Sequence, residues 1–86
     1  SNYGGIVLTG TLEEAVDYAR SRYAIRDTRA VRLYELLPGM RLAEPLATVE
    51  GRLIVPPGTV VDFDLISRIL GLAAQWPLPE TVRVQR

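Results

Sequence analysis

The chain has 86 residues, 48% of them apolar, and its ten arginines balance ten acidic side chains to give zero net charge. It holds no lysine, histidine or cysteine, which excludes disulfides and any catalysis that needs an imidazole, thiol or amine. The length fits one small domain held together by packing. The even spread of charge argues against nucleic-acid binding, and the apolar runs are too short to cross a bilayer.

The first predicted elements are a short strand over Ile6–Thr9 and a helix that begins at Thr11. Thr11 and Glu14 have the spacing of a capping box. The helix carries one apolar stripe, and the stretch after it, 24–29, is polar and irregular. The stripe is formed by Leu12, Ala15, Val16, Ala19 and Tyr23. We interpret residues 1–30 as a strand–helix extension or as the tail of a preceding domain.

The second part of the chain is rich in strand and turn signals. Alternation predicts a strand over Ala30–Tyr34, and Pro38 and Gly39 occupy the positions that a type II turn requires. A second helix, capped by Asp62 or Asp64, carries the apolar stripe Leu65, Ile66, Ile69, Leu70 and Ala73. The other predicted elements are an extended segment over 41–49 interrupted by Pro45, a hairpin turn at Glu50–Gly51, strands at Arg52–Val55 and Thr59–Val61, a turn at Pro56–Gly58, a rigid linker at Trp76–Pro79 and a last strand at Thr81–Val84.

These elements predict an α+β fold with two helices and a small antiparallel sheet of about five to six short strands. Residues 31–86 form a small β-rich module, and residues 1–30 complete one compact domain with it. We expect both helical stripes to cover one face of the sheet. That face is formed by Val31, Leu33, Leu42, Leu46, Leu53 and Val55.

Arginines around the first helix are the main candidates for ligand or partner contact. Arg20, Arg22, Arg26 and Arg29 lie near Tyr18 and Tyr23, and such a set can hold a nucleotide phosphate and stack on its base. Acidic residues are interleaved with them, so the favoured interpretation is a solvated, salt-bridged face. The interleaved acids are Asp17, Asp27 and Glu35.

Three other features have a structural and a functional interpretation. Asp62 and Asp64 could bind a metal, but an aspartate before a helix more often caps it. Gly10–Thr11 precedes a helix, yet it lacks the lysine and glycine spacing of a phosphate-binding loop. Trp76 is interpreted first as a lid over the core and second as a docking residue. We predict no catalytic, cofactor or metal site.

Residues 32–61 carry a more specific pattern of turns. Within it, Pro-Gly-Met, Glu-Gly and Pro-Gly-Thr occur at a combined spacing that resembles a module found beside HD-type phosphohydrolase domains. Such modules occur in bacterial response regulators and HD-GYP-like signalling proteins. The matching residues are Leu36, Pro38, Gly39, Met40, Leu42, Ala43, Leu46, Gly51, Leu53, Ile54, Gly58, Thr59 and Val61. The resemblance runs from Val31 to Arg86 and leaves residues 1–30 unmatched.

The resemblance implies a cytoplasmic, non-catalytic accessory domain of a bacterial two-component or cyclic di-GMP signalling protein. The phosphohydrolase activity of HD-type domains is not expected of this chain, because the HD metal-binding pair needs a histidine and the chain has none. The expected partners are a neighbouring domain of the same polypeptide or a second copy of the chain, and neither nucleic acid nor membrane. The alternative function is a small module that binds a cyclic dinucleotide. The candidate contact residues are Arg20, Arg22, Arg26, Arg29 and Trp76.

Overall fold

A computed structural model describes residues 2–3, 6–7 and 11–86. The fold is α+β, as predicted, with two helices and four short strands in two small antiparallel sheets. A further antiparallel pair joins β1 (Asn2–Tyr3) to β2 (Ile6–Val7). The remainder of the strand predicted over Ile6–Thr9 and the glycine of the Gly10–Thr11 pair lie outside the described residues.

Helix α1 (Leu12–Arg22) begins where the sequence predicts. The Thr11 hydroxyl oxygen accepts a hydrogen bond from the backbone N–H of Glu14 at 3.3 Å, which satisfies a helix-terminal donor that has no partner inside the helix. Acidic side chains occupy the first turn and Arg20 and Arg22 the last, so both ends complement the helix dipole.

The principal ladder pairs β3 (Thr28–Arg32) with β6 (Thr81–Gln85) in antiparallel register. The last strand is confirmed, but the boundaries predicted for β3, Ala30–Tyr34, are wrong. The chain turns into a 3₁₀ helix over Leu33–Glu35. The Glu35 carboxylate caps this helix by accepting a hydrogen bond from the backbone N–H of Arg32 at 2.8 Å. The buried and exposed alternation survives the turn, with Val31 and Leu33 buried.

A second hairpin joins β4 (Leu46–Ala47) to β5 (Leu53–Val55). Its loop is closed by the backbone N–H of Thr48, which donates to the Arg52 carbonyl at 2.9 Å. Gly51 has a φ of +97°, the conformation that the last residue of a three-residue hairpin loop requires. The hairpin turn predicted at Glu50–Gly51 is thus confirmed.

The segment 39–43 connects the ladder to the chain around residues 58–61. On one side the Ala43 N–H donates to the Arg83 carbonyl at 2.9 Å, and on the other the Leu42 N–H donates to the Thr59 carbonyl at 2.9 Å. The predicted strand Thr59–Val61 is not a named strand of the fold. Its residues form one isolated bridge, Arg41 to Val60, within a segment that is hydrogen-bonded to residues 39–42.

The hydrophobic core lies between this network and α2 (Phe63–Ala73). Ile69 is the buried residue of α2, whereas Leu65 and Ile66 are half-buried. Leu70 and Ala73, predicted to be buried, are exposed. The side of α2 that faces the core carries Leu65, Ile66 and Ile69. The buried core consists of Val31, Leu33, Leu36, Leu42, Leu46, Val55, Val61, Ile69, Val82 and Val84; Leu53 is only half-buried.

Two glycine-to-alanine substitutions are expected to have opposite effects on stability. Gly39 has a φ of +95° and open space around its Cβ position, so Gly39→Ala carries the backbone strain alone and should lower the free energy of unfolding by about 1–2 kcal/mol. Gly71 lies inside α2 with nothing within 4 Å, so Gly71→Ala should raise it by about 0.5–1 kcal/mol. Urea denaturation of both variants measures the two shifts, and equal signs would contradict the assigned backbone conformations.

Candidate functional site

A cleft of about 470 Å³ lies between α1 and the β3–β6 ladder. Its volume falls within the range of small-molecule sites in proteins, roughly 300–1,000 Å³. We call it the α1 cleft. Its lining consists of Leu12, Val16, Ala19, Arg20, Tyr23, Ile25, Thr28, Ala43, Glu44, Pro45, Ala47, Thr48, Val49, Pro79, Thr81, Val82 and Arg83.

One wall of the α1 cleft is the apolar stripe of α1. Leu12, Val16, Ala19 and Tyr23 all line it, and their spacing places them on one face of the helix. The sequence correctly groups these residues on one face. Ala15 and Ala19 of the stripe are buried, whereas Leu12, Val16 and Tyr23 are half-buried, so the larger side chains of the stripe border the cleft.

The floor of the cleft is the polar face of the ladder. In the register of β3 and β6, Val31 pairs with Val82, and Ala30 pairs with Arg83. Alternate residues of a strand point to opposite faces, so Arg83 lies on the face opposite the buried valines. The expectation that both helices cover one face is therefore wrong, because the buried face is already occupied by the α2 side of the core.

Hydrogen bonds hold the cationic part of the floor in place. The Arg83 guanidinium donates from Nε to the Thr28 hydroxyl oxygen at 2.7 Å and from Nη2 to the Thr28 carbonyl at 3.2 Å. The backbone N–H of Arg83 donates to a Glu44 carboxylate oxygen at 2.8 Å. The Arg83 guanidinium thus donates these hydrogen bonds to neutral groups. Among the described residues it forms no salt bridge with a carboxylate.

The predicted arginine cluster does not converge on the cleft. Of the four candidates, only Arg20 lines it. Arg22 lies on a different face of α1 and places its guanidinium carbon 5.6 Å from the centre of the Tyr18 ring. Arg26 and Arg29 are exposed, on the 3₁₀ turn Ile25–Asp27 and on β3.

The predicted salt bridges of this face are not formed. Over residues 11–86, the ion pair within 4 Å joins Asp64 to Arg68 on α2. The Glu35 carboxylate is engaged instead by a backbone N–H. The arginines are therefore solvated without carboxylate partners, and the alternative of a cyclic dinucleotide site gains no support from their arrangement.

Trp76 lies beside the β4–β5 hairpin. The Arg52 guanidinium carbon is 4.9 Å from the centre of its ring, within the range of a cation–π contact. The N–H of Val49 donates to the Pro77 carbonyl at 2.8 Å, which ties the hairpin loop to the segment after α2. Trp76 remains 38% exposed, so the ring is available in part for a partner.

Asp62 is the N-cap of α2, in agreement with the favoured interpretation. Its carboxylate oxygen accepts a hydrogen bond from the N–H of Leu65 at 2.7 Å. Asp64 instead points to Arg68 at 3.1 Å on an exposed surface. Within the described ranges 2–3, 6–7 and 11–86, no group of three or more acidic residues could hold a metal ion.

Asp62→Ala is expected to lower the free energy of unfolding by about 1 kcal/mol, because it leaves a helix-terminal N–H without its partner. Asp64→Ala is the matched control, and loss of its exposed ion pair should cost no more than about 0.5 kcal/mol. Thermal denaturation with and without a divalent cation measures both effects. A wild-type protein that is stabilised by the cation, with the effect abolished in either variant, would contradict the capping role.

Three large side chains that are each exposed by 60% or more lie on two neighbouring segments, and we call this set of residues the Phe63 patch. Phe63 is 77% exposed, Tyr34 70% and Leu37 60%. Two backbone hydrogen bonds of 2.8 Å, from Gly39 to Val61 and from Val61 to Met40, hold these segments side by side. Sequence reasoning missed Phe63, although a large apolar residue outside the phase of the helical stripe was a visible signal.

Comparison with known proteins identifies no relative: no family model, no curated protein and no solved structure matches the chain. Neither described helix has the length and apolarity that a membrane span requires. The resemblance to the module beside HD-type domains stays a prediction.

Proposed function

We propose that the chain is a non-catalytic accessory domain of a bacterial HD-type phosphohydrolase or response-regulator protein. It acts in the cytoplasm by docking on a neighbouring domain of the same polypeptide. The Phe63 patch is the observation that carries the proposal. The resemblance over Val31–Arg86 suggests that the neighbouring domain is of the HD type.

The exposure of the patch supports a contact function. Single apolar side chains on a protein surface are common and need no explanation. An aromatic, a phenol and a leucine exposed by 60% or more on adjoining segments form a larger apolar surface, and such surfaces mark interaction sites. Leu70 extends it along α2, since it lies two turns after Phe63 and is 40% exposed.

The surroundings of the patch also fit an interface. Asp62 and Asp64, which flank Phe63 in the chain, and Glu35, which follows Tyr34, are all exposed. Protein interfaces combine an apolar centre with a polar rim, and aromatic residues at the centre contribute most of the binding energy. The docking surface we propose thus has Phe63 and Tyr34 at its centre and these charged residues around it.

The proposal is tested with the remainder of the polypeptide that the gene encodes, produced as a separate chain. Isothermal titration calorimetry should detect binding to this domain, and Phe63→Ser should weaken it tenfold or more, on the order of a central interface residue. Val49→Ser is the matched control, because Val49 is 69% exposed in the hairpin loop and lies outside the patch. A gene that encodes no HD-type domain, or equal affinity of the two variants, would contradict the proposal.

Self-association is measured in parallel by sedimentation velocity. The proposal expects a monomer at micromolar concentration when the neighbouring domain is absent. A dimer that Phe63→Ser converts to a monomer would assign the patch to a second copy of the chain and would overturn docking on a neighbouring domain.

A further inference from the structure

Among residues 11–86, the large apolar side chains of α1 that line the α1 cleft are not fully covered by other side chains. Helix α1 has 11 residues, a length at which most helices depend on tertiary packing for their stability. Yet Leu12, Val16 and Tyr23 are only half-buried, and they face the cleft. A bound molecule that buried these side chains would remove apolar surface from water and so stabilise both the complex and α1.

Small side chains create the space on the walls of the cleft. Ala19 on α1 faces the cleft, and Ala43 and Ala47 line it from the segment that leads into and through β4. Alanine has three side-chain carbons fewer than leucine, so alanines at these positions leave space that larger side chains would fill. The volume of the cleft therefore follows from the residue types that line it. The walls are apolar, as in most small-molecule sites, with a few polar groups that orient the ligand.

The charges of the lining favour an anion. Arg20 and Arg83 both line the cleft, and Glu44 is the acidic residue among the lining side chains. One oxygen of Glu44 already accepts the backbone N–H of Arg83, and neither arginine has a carboxylate within ion-pair distance among the described residues. Arg83 is half-buried beside apolar side chains, where a lower local dielectric strengthens its attraction for a negative group. Arg20 is exposed, so its attraction is screened by solvent.

We infer that the α1 cleft binds a small amphipathic carboxylate, with its apolar body against the α1 stripe and its negative group near Arg20. The inference does not depend on the proposed docking function, since the cleft and the Phe63 patch share no residue. Thr48 and Thr81 also line the cleft and add neutral hydroxyls to its lining, although the Thr48 oxygen already accepts a hydrogen bond from the backbone N–H of Arg52 at 3.0 Å.

Decanoate is a suitable probe, because it combines an apolar chain with one carboxylate. A titration of the ¹⁵N-labelled chain, followed by two-dimensional NMR below the micelle concentration, should shift the amide signals of Ala19, Arg20, Ala43 and Thr81. Decanol, which has the same chain and no charge, should bind more weakly. Shifts confined to Phe63 and its neighbours, or equal affinity for decanoate and decanol, would overturn the inference.

Two variants locate the site. Arg20→Gln should weaken decanoate binding about three- to fivefold, as expected for an exposed cation, and leave decanol binding unchanged. Arg22→Gln is the matched control on the same helix and should leave both unchanged. Ala47→Leu fills the cleft and should abolish binding of both probes while the thermal unfolding transition is retained. Undiminished binding to Ala47→Leu would contradict the location.

Discussion

Leu42→Ala is expected to lower the free energy of unfolding by about 2–5 kcal/mol, the range measured for buried leucines. Leu42 is fully buried in the core. The total stability of a domain of 86 residues is about 4–13 kcal/mol, so this single change removes a large fraction of it. The reason is the cavity left at a point where three segments meet, since Leu42 bridges Val84 on one side and bonds Thr59 on the other.

The backbone hydrogen bonds of Leu42 do not involve its side chain, so the variant should keep the native fold at low temperature. Urea denaturation followed by circular dichroism measures the change. Leu37→Ala is the matched control, because Leu37 is 60% exposed and its truncation should cost less than about 0.5 kcal/mol. Equal effects of the two substitutions would show that Leu42 is not at the centre of the core.

Ile69→Ala should destabilise the chain to a similar extent, about 2–5 kcal/mol. Ile69 is fully buried and is the residue that anchors α2 in the core. Without it, α2 keeps only half-buried contacts through Leu65 and Ile66. We therefore expect α2 to open locally before the rest of the fold unfolds.

Native-state hydrogen exchange measures this opening residue by residue. In Ile69→Ala the α2 amides should exchange faster relative to those of the β3–β6 ladder, whose strands do not depend on Ile69 for their pairing. Leu70→Ala, one residue further on the same helix and 40% exposed, should leave the pattern unchanged. Uniform acceleration across α2 and the ladder would mean that α2 has no separate opening.

Elements with local chemical signals could be predicted from the sequence. The N-caps at Thr11 and Asp62 each depend on a side-chain oxygen that lies three residues before a helix-terminal N–H. The turn at Pro38–Gly39 depends on a proline, whose φ is fixed, followed by a glycine, which can adopt a positive φ. These interactions involve neighbours in the chain, so the residue order alone specifies them. The last strand also followed from its alternation, although its pairing with β3 did not.

Tertiary contacts could not be predicted in the same way. Periodicity places Leu12, Val16 and Tyr23 on one face of α1, but it does not say whether that face meets a core or a cleft. β3 ends where the chain enters the 3₁₀ helix over Leu33–Glu35, which is capped by a hydrogen bond from the Arg32 N–H to the Glu35 carboxylate, and strand alternation does not reveal this turn. The Phe63 patch arises because α2 is held through Ile69, an orientation set by packing.

Hydroxyl-radical footprinting of the chain, alone and within the longer polypeptide that we propose as its parent, tests the proposed docking function most directly, because the oxidation rate reports side-chain exposure. The proposal predicts that Phe63, Tyr34 and Leu37, exposed in the domain itself, become protected in the parent, while Val49 and Ile25 react equally in both. Equal oxidation of Phe63 and Tyr34 in the two samples would contradict a function exerted through this surface.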